Sequence, residues 1–270
     1  MFQYDFMQHA FVAGTLVALM CGAIGVFVIA RNLSFITHTF SHIGFAGAAF
    51  AVLIGISPLS GLLLFTMISA LFIGQMGVRM FRRDASISVI LSLFLGLGIL
   101  FLSLSNKQAN FTTSILFGSV IGINVRDVRE IAVLSFIVLL LIALGYRWLK
   151  FDSFDQTGAE AAGLPIRLIS VGFLLLLSVA VSVTVQIIGA LLVFALMTVP
   201  AAAARCFVRS VFGMIILSSV LAVLGVWFGL VMSYYTNAPV SFFITSFEAA
   251  VYFIGLGFRR LYAERNALQE

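Results

Sequence analysis

Charged residues are scarce in this chain: only 25 of 270 are Asp, Glu, Lys or Arg, and they fall in short clusters. Between the clusters lie uncharged apolar runs at Phe6–Ala30, Asn32–Val78, Ala85–Asn106, Leu168–Ala204 and Ser210–Phe247. With 62% hydrophobic residues and a mean hydropathy of +1.19, a water-soluble domain is excluded. Lysine occurs only at Lys107 and Lys150, neither in a glycine-rich loop, so a P-loop is absent and nucleotide cannot bind by that route. Cysteine occurs only at Cys21 and Cys206, both in apolar surroundings, which reads as buried free thiols rather than a disulfide. The first apolar run has no basic n-region and no small-residue cleavage site, so it is read as retained and not as a signal peptide.

About 20 apolar residues suffice for a helix to cross the hydrocarbon core, and several of the runs are long enough for two crossings. Within lipid every backbone amide must be satisfied internally, which leaves helices or a closed barrel. The runs are continuous and not alternating, which excludes barrel strands. The chain is expected to be all-α and polytopic, with about nine crossings near 9–30, 34–56, 59–79, 86–106, 130–149, 167–186, 188–205, 211–235 and 240–259. Ser57-Pro58 and Thr236-Asn237-Ala238-Pro239 supply two firm breaks, because proline disfavours helix at the residue before it. Gln186 and Gly189 mark a weaker break between the sixth and seventh crossings.

Nine crossings place twelve of the fifteen basic residues on one side. These are Arg31, Arg79, Arg82, Arg83, Arg147, Lys150, Arg167, Arg205, Arg209, Arg259, Arg260 and Arg265; Lys107, Arg126 and Arg129 fall on the other. Positive charge marks the cytoplasmic side, so the N-terminus is expected outside and the C-terminus inside. The net charge of +5 follows from that bias and from contact with anionic lipid, without any nucleic acid.

Ionisable residues within spans are rare and functional by default. Here they are His38, His42 and Glu248, with His9 near the outer end of the first helix. His38 and His42 are four apart, so a helix stacks both imidazoles on one face. This is how helices offer two nitrogen ligands to one divalent metal ion. The alternative is hydrogen bonding to neighbouring helices or carbonyls. A complete zinc site needs more than two ligands, and a twofold dimer would double the pair. Gly44, Ala46, Gly47, Ala48 and Ala49 follow as a small-residue stripe suited to close helix packing. Glu248, in Thr245-Ser246-Phe247-Glu248-Ala249, is read either as a cation-pathway residue or as an acceptor for nearby hydroxyls. The 28 phenylalanines and the scattered methionines form no ligand set.

The inside loop of about 150–167 is amphipathic, bounded by glycines and ended by Pro165. It predicts a short helix over Gln156–Ala162, capped by Asp155 and stopped by Gly163. Such a helix suits docking to another protein, with an ordinary surface loop as the alternative.

Several blocks together resemble the membrane permease subunits of bacterial ABC importers for zinc and manganese. They are Arg31-Asn32-Leu33-Ser34 leading to Ser41-His42, Gly44 and Gly47; Leu116-Phe117-Gly118-Ser119; Phe154-Asp155 with Ala159 and Gly163-Leu164-Pro165; and Gly189-Ala190-Leu191-Leu192 followed by Val199-Pro200-Ala201-Ala202-Ala203-Ala204-Arg205. The opening Tyr4-Asp5-Phe6-Met7-Gln8 is similar to zinc-type members. The resemblance spans nearly the whole chain and implies one permease domain over 1–270, like that of type II importers, with an inside tail of about 259–270. It implies a homodimer in the bacterial cytoplasmic membrane, ATP-binding cassette ATPase subunits on the inside and an extracellular metal-binding protein that delivers the ion. No permanently bound cofactor and no catalysis by this chain are implied. His38, His42 and, more weakly, Glu248 would handle the ion, while Asp155, Ala159, Ala162, Gly163 and Pro165 would couple to the ATPase.

One position departs from the family pattern, Asp-x-x-x-His, which here reads His38-x-x-x-His42. Imidazole in place of a hard carboxylate shifts preference from Mn2+ towards Zn2+. The substrate expected is therefore Zn2+, with Mn2+ or Fe2+ as the alternative. Two other classes fit less well. A gradient-driven secondary transporter lacks the inverted repeat with matched broken helices, and an intramembrane metalloprotease lacks the glutamate of His-Glu-x-x-His.

Overall fold

A computed structural model describes residues 4–76, 84–105, 115, 116, 118 and 124–267. Ten helices are described: α1 (Asp5–Ala30), α2 (Ser34–Ile54), α3 (Pro58–Met76), α4 (Asp84–Leu104), α5 (Val125–Phe154), α6 (Gln156–Ala161), α7 (Ile166–Ile188), α8 (Val193–Phe207), α9 (Val211–Thr236) and α10 (Val240–Ala267). No strand occurs among the described residues. Seven of these helices, α1, α2, α3, α5, α7, α9 and α10, are long and apolar enough to span a membrane. The other two expected crossings are helices with shorter apolar stretches, 89–104 in α4 and 193–207 in α8. Each of the nine expected crossings thus coincides with a helix.

Four boundaries differ from the sequence reading. α5 begins at Val125 rather than near 130, because the Asp127 carboxylate accepts the Asn124 N–H at 3.0 Å and satisfies an orphan donor of the first turn. It also continues to Phe154, since nothing between 150 and 154 breaks a helix that leaves the hydrocarbon. The connection to α7 is correspondingly shorter than the loop of about 150–167. The expected tail of about 259–270 is helical through Ala267, as part of α10. Finally, α8 starts at Val193 and not near 188. Gly189 turns the chain at φ +90°, and the freed amides of Ala190 and Leu191 donate to the carbonyls of Ile115 (2.9 Å) and Leu116 (3.2 Å). Irregular backbone is tolerated there because carbonyls of another segment satisfy it. Phe117, Ser119, Arg79, Arg82, Arg83 and Lys107 lie outside the described residues.

α1 runs through the middle of the bundle, packed on α9, α8, α5 and α7. α2 packs on α3 and α4, and α7 joins the two groups through α3, α5 and α2. Large apolar residues recur at helical spacing on the outer faces, as in Leu64, Ile68 and Phe72 of α3 and Phe136, Leu140 and Leu144 of α5. Lipid, not water, is the solvent for those faces. Inside, hydroxyls link helices: Thr66 and Ser182 join α3 to α7 at 2.8 Å, and Cys21 meets Thr184 of α7 at 3.1 Å. Both cysteines are free; Cys21 is buried as expected, whereas Cys206 is only partly so.

The small-residue stripe does what such stripes do. Gly47 and Gly61 face each other where α2 crosses α3, each leaving room for the other's carbonyl. A methyl added at Gly61 would meet the Gly47 backbone and the Ala51 side chain. Gly61→Ala should therefore destabilise the protein by about 1–3 kcal/mol, read as a lowered Tm in detergent. Gly257→Ala, whose added methyl meets nothing within 4 Å, should leave Tm unchanged. Equal midpoints for the two variants would show that the crossing is loose.

Candidate functional site

α2 carries the polar centre of the bundle. The rings of His38 and His42 lie 4.7 Å apart at 86°, stacked on one face as their spacing demands. Phe194 of α8 sits 5.6 Å from the His38 ring, closing one side. The neighbouring hydroxyls turn back onto their own helix: Thr37 donates to the Leu33 carbonyl (3.2 Å), Thr39 to Phe35 (2.9 Å) and Ser41 to His38 (2.8 Å). Their protons are thus spent on their own helix and are not donated to the imidazoles. Among the described residues, the Nδ1 atoms of both His38 and His42 are buried without a hydrogen-bond partner. The alternative in which neighbours satisfy the pair is therefore not realised at these atoms.

Glu248, on α10, is 2% exposed, and neither carboxylate oxygen has a partner among the described residues. It lies against Gly225 of α9, where an added Cβ would stand 3.5 Å from Oε1. The nearby Thr245 hydroxyl donates to the carbonyls of Ser241 and Phe242 rather than to this carboxylate. No described group of three His, Cys, Asp or Glu residues comes together, so Glu248 does not join the histidine pair in a single set. One chain offers two nitrogen donors in one place and a carboxylate in another.

The short helix forms as its sequence requires. Asp155 Oδ1 accepts the Gly158 N–H (3.0 Å) and the Thr157 hydroxyl (3.2 Å) at the start of α6. Gly163 at φ +70° ends the turn, and the Leu164 N–H returns to the Ala159 carbonyl at 3.2 Å. One detail departs from the sequence reading, in which Ala159 couples to the ATPase alongside Ala162, Gly163 and Pro165 and would have to face outward. Ala159 is fully buried within this chain, while Ala161, Ala162, Gly163 and Pro165 are exposed. A helix of two turns cannot stand free and seats one side on its own protein.

A feature missed in the sequence lies beside this segment. Arg31, at the C-terminal end of α1, reaches Asp152 near the end of α5 at 2.9 Å. Its Nε donates to Ser153 Oγ at 2.8 Å, and its guanidinium lies 4.4 Å from the centre of the Phe173 ring of α7. Burial pulls the Arg31 pKa down and the Asp152 charge pulls it back up, but a guanidinium stays charged at any relevant pH. The pair thus pins three helices where α5 passes into α6. The available signal was Arg31 itself, the first charge after 25 uncharged residues. Its partner was hidden in what reads as loop.

A polytopic helical bundle with two imidazoles on one helix face and a capped helix between two spans is an arrangement that suits a membrane transport subunit. The chain belongs to the ABC 3 transport family, whose family model matches residues 3–259. It is the membrane component and not an enzyme; ATP hydrolysis belongs to a separate subunit. The chain is similar to the manganese transport system membrane protein MntC of Listeria monocytogenes, 30% identical over 257 residues covering 95% of this chain and 91% of that one. It is 28% identical to the manganese import system permease protein ScaB of Streptococcus parasanguinis, covering 93% of this chain and 90% of that one. PsaBC from Streptococcus pneumoniae, solved in complex with Fab, superposes with a TM-score of 0.86 at 27% identity, covering 93% and 91% of the two chains. A metal-chelate type ABC transporter in an inward-facing conformation shares the fold at a TM-score of 0.71 and 16% identity, covering 92% and 85%.

Removing one partner of the buried Arg31–Asp152 pair should be costly. Asp152→Ala should lose about 3–5 kcal/mol, because it removes the carboxylate that faces the buried Arg31 charge. The double variant Arg31→Ala/Asp152→Ala should recover part of that loss in a thermal double-mutant cycle. Strictly additive losses would mean that the two residues are uncoupled.

Proposed function

We propose that this chain is the permease of an ATP-driven importer for a divalent transition-metal ion, with His38 and His42 holding the ion in transit. The observation that carries this is the pair of buried Nδ1 atoms without partners, at the spacing by which one helix presents two nitrogens to one metal. A homodimer supplies the missing donors by setting two such pairs about a twofold axis. Glu248 serves as a second polar station on the pathway. The N-terminus faces outside, where a metal-binding protein delivers the ion; the ATPase docks inside, on the exposed Ala162–Gly163–Pro165 side of α6 with Asp155 as its cap. An imidazole-only pair favours Zn2+. The manganese named in MntC and ScaB supports the second reading, Mn2+ through the same path.

Metal uptake into proteoliposomes holding the permease, its ATPase and its delivery protein tests the site. His38→Ala and His42→Ala should each lower uptake about tenfold or more, with membrane insertion unchanged. Normal uptake by both variants would make the pair structural. His38→Asp should raise Mn2+ uptake relative to Zn2+, as the harder ligand; an unchanged ratio would place selection elsewhere.

Docking has its own readout. Ala162→Trp adds bulk to an exposed position, and Gly163→Val forces a β-branched residue to a φ of +70°. Both should abolish permease-stimulated ATP hydrolysis and transport together, while leaving metal contact at the histidines intact. Full stimulated ATPase activity in both variants would refute α6 as the coupling element.

A further inference from the structure

α8 sets one aromatic ring against the imidazole pair, and the surrounding packing fixes where that ring stands. The chain turns at Gly189, and α8 begins at Val193 only after the Ala190 and Leu191 amides have been taken by the Ile115 and Leu116 carbonyls. Phe194 therefore lies in the first turn of α8. Its neighbours Val193, Leu196 and Met197 are fully buried, so rolling the helix to withdraw the ring would unpack all three. One turn further on, α1 comes so close that a Cβ on Gly25 would run into the Met197 carbonyl.

The Phe194 and His38 rings, 5.6 Å apart at 62°, are in direct edge-to-face contact, with no layer of water between them. An ion about 2.0–2.1 Å from a nitrogen of His38 stands roughly 3 Å from the centre of that ring, nearer than Phe194 itself. The phenyl ring thus flanks the place where the rest of the ion's shell must form. It has no lone pair to offer the ion and no donor or acceptor with which to hold a water that would. Phe194 and both histidines are half-buried, so the pair keeps an approach away from the phenyl ring.

An apolar cover of this kind acts on coordination number. Zn2+ is satisfied by four donors, whereas Mn2+ takes six, mostly oxygens and including water. Two imidazoles on one helix face begin the set, and a direction closed by a phenyl ring removes room for a fifth or sixth ligand. We infer that Phe194 is a specificity-determining residue, which denies water to an ion at His38 and so favours a four-coordinate metal over a six-coordinate one. The inference rests on the reading of His38 and His42 as the residues that hold the ion. It adds a separate lever to selection: the residue at position 38 sets the hardness of a donor, and the residue at position 194 sets how many donors there are.

Co2+ is the probe, because its visible absorption is intense when four-coordinate and weak when six-coordinate. The permease–ATPase complex in nanodiscs, titrated with Co2+, should give the intense spectrum in the parent and in Phe194→Leu, which keeps an apolar cover. Phe194→Ser and Phe194→Ala, which admit water, should give the weak spectrum. They should also shift the ratio of Zn2+ to Mn2+ affinity about tenfold towards Mn2+. An intense spectrum in the Ser and Ala variants, or a weak one in the parent, would overturn the inference. Loss of Co2+ binding in Phe194→Leu as well as in the two smaller variants would show a packing role alone and overturn it too. A parent spectrum that survives His38→Ala/His42→Ala would place the ion elsewhere, and the reading of the pair would fall together with the role of Phe194. A spectrum that needs both histidines and ignores position 194 would remove the role of Phe194 alone.

Discussion

In the hydrocarbon region a polar group has no water to fall back on, and the organisation of this protein follows from that shortage. The backbone answers it with helices, and the side-chain hydroxyls answer it by bonding to carbonyls one turn back, as Thr37, Thr39, Ser41, Thr184 and Thr198 all do. Where the chain must break, at Gly189–Leu192, the carbonyls of Ile115 and Leu116 accept the freed amides of Ala190 and Leu191. Against so complete an accounting, the few buried atoms left without partners carry information. The histidine Nδ1 atoms and the Glu248 carboxylate are the ionisable groups of the spans, and they are among those left over.

The histidine face is built by packing rather than by polar contacts. Glycine at positions 47 and 61 lets α2 lie close against α3, and Phe194 on α8 closes against the His38 ring. Both nitrogens are held ready by apolar neighbours that offer no competing hydrogen bond. On the role proposed above for the pair, an incomplete donor set suits carriage: a full set would bind an ion too tightly to release, whereas two donors need help from elsewhere, which transport can supply and withdraw.

The Arg31–Asp152 pair does for the end of the bundle next to α6 what the glycine crossing does for α2 and α3. It sits where α1, α5 and α7 converge and immediately precedes α6. The capped helix is thereby attached to a fixed point of the bundle, with Ala159 buried and Ala161, Ala162 and Gly163 exposed. For the docking role proposed above for α6, a rigid attachment is what a mechanical link to an ATPase requires, since motion at a loosely hung segment would not reach the spans.

Much of this was legible in the one-dimensional pattern because its causes are local. Run length decides whether a helix can cross, proline and the turn residues decide where it stops, and a four-residue spacing decides that His38 and His42 share a face. The cap of α6 by Asp155 and its stop at Gly163 are equally local. What the sequence left undecided depends on partners far along the chain. Asp152 looks like a loop acid until α1 brings Arg31 to it from 121 positions away. Ala159 looks like part of an outward face until α6 is laid against the bundle. Glu248 looks like a third ligand until the packing of α10 on α9 sets it beside Gly225. The α7–α8 junction looks like a weak break until Ile115 and Leu116 arrive to satisfy it. Helix formation and membrane insertion are set by neighbouring residues and by the solvent. Which polar group meets which is set only when the helices pack, because that is the step at which distant segments become each other's solvent.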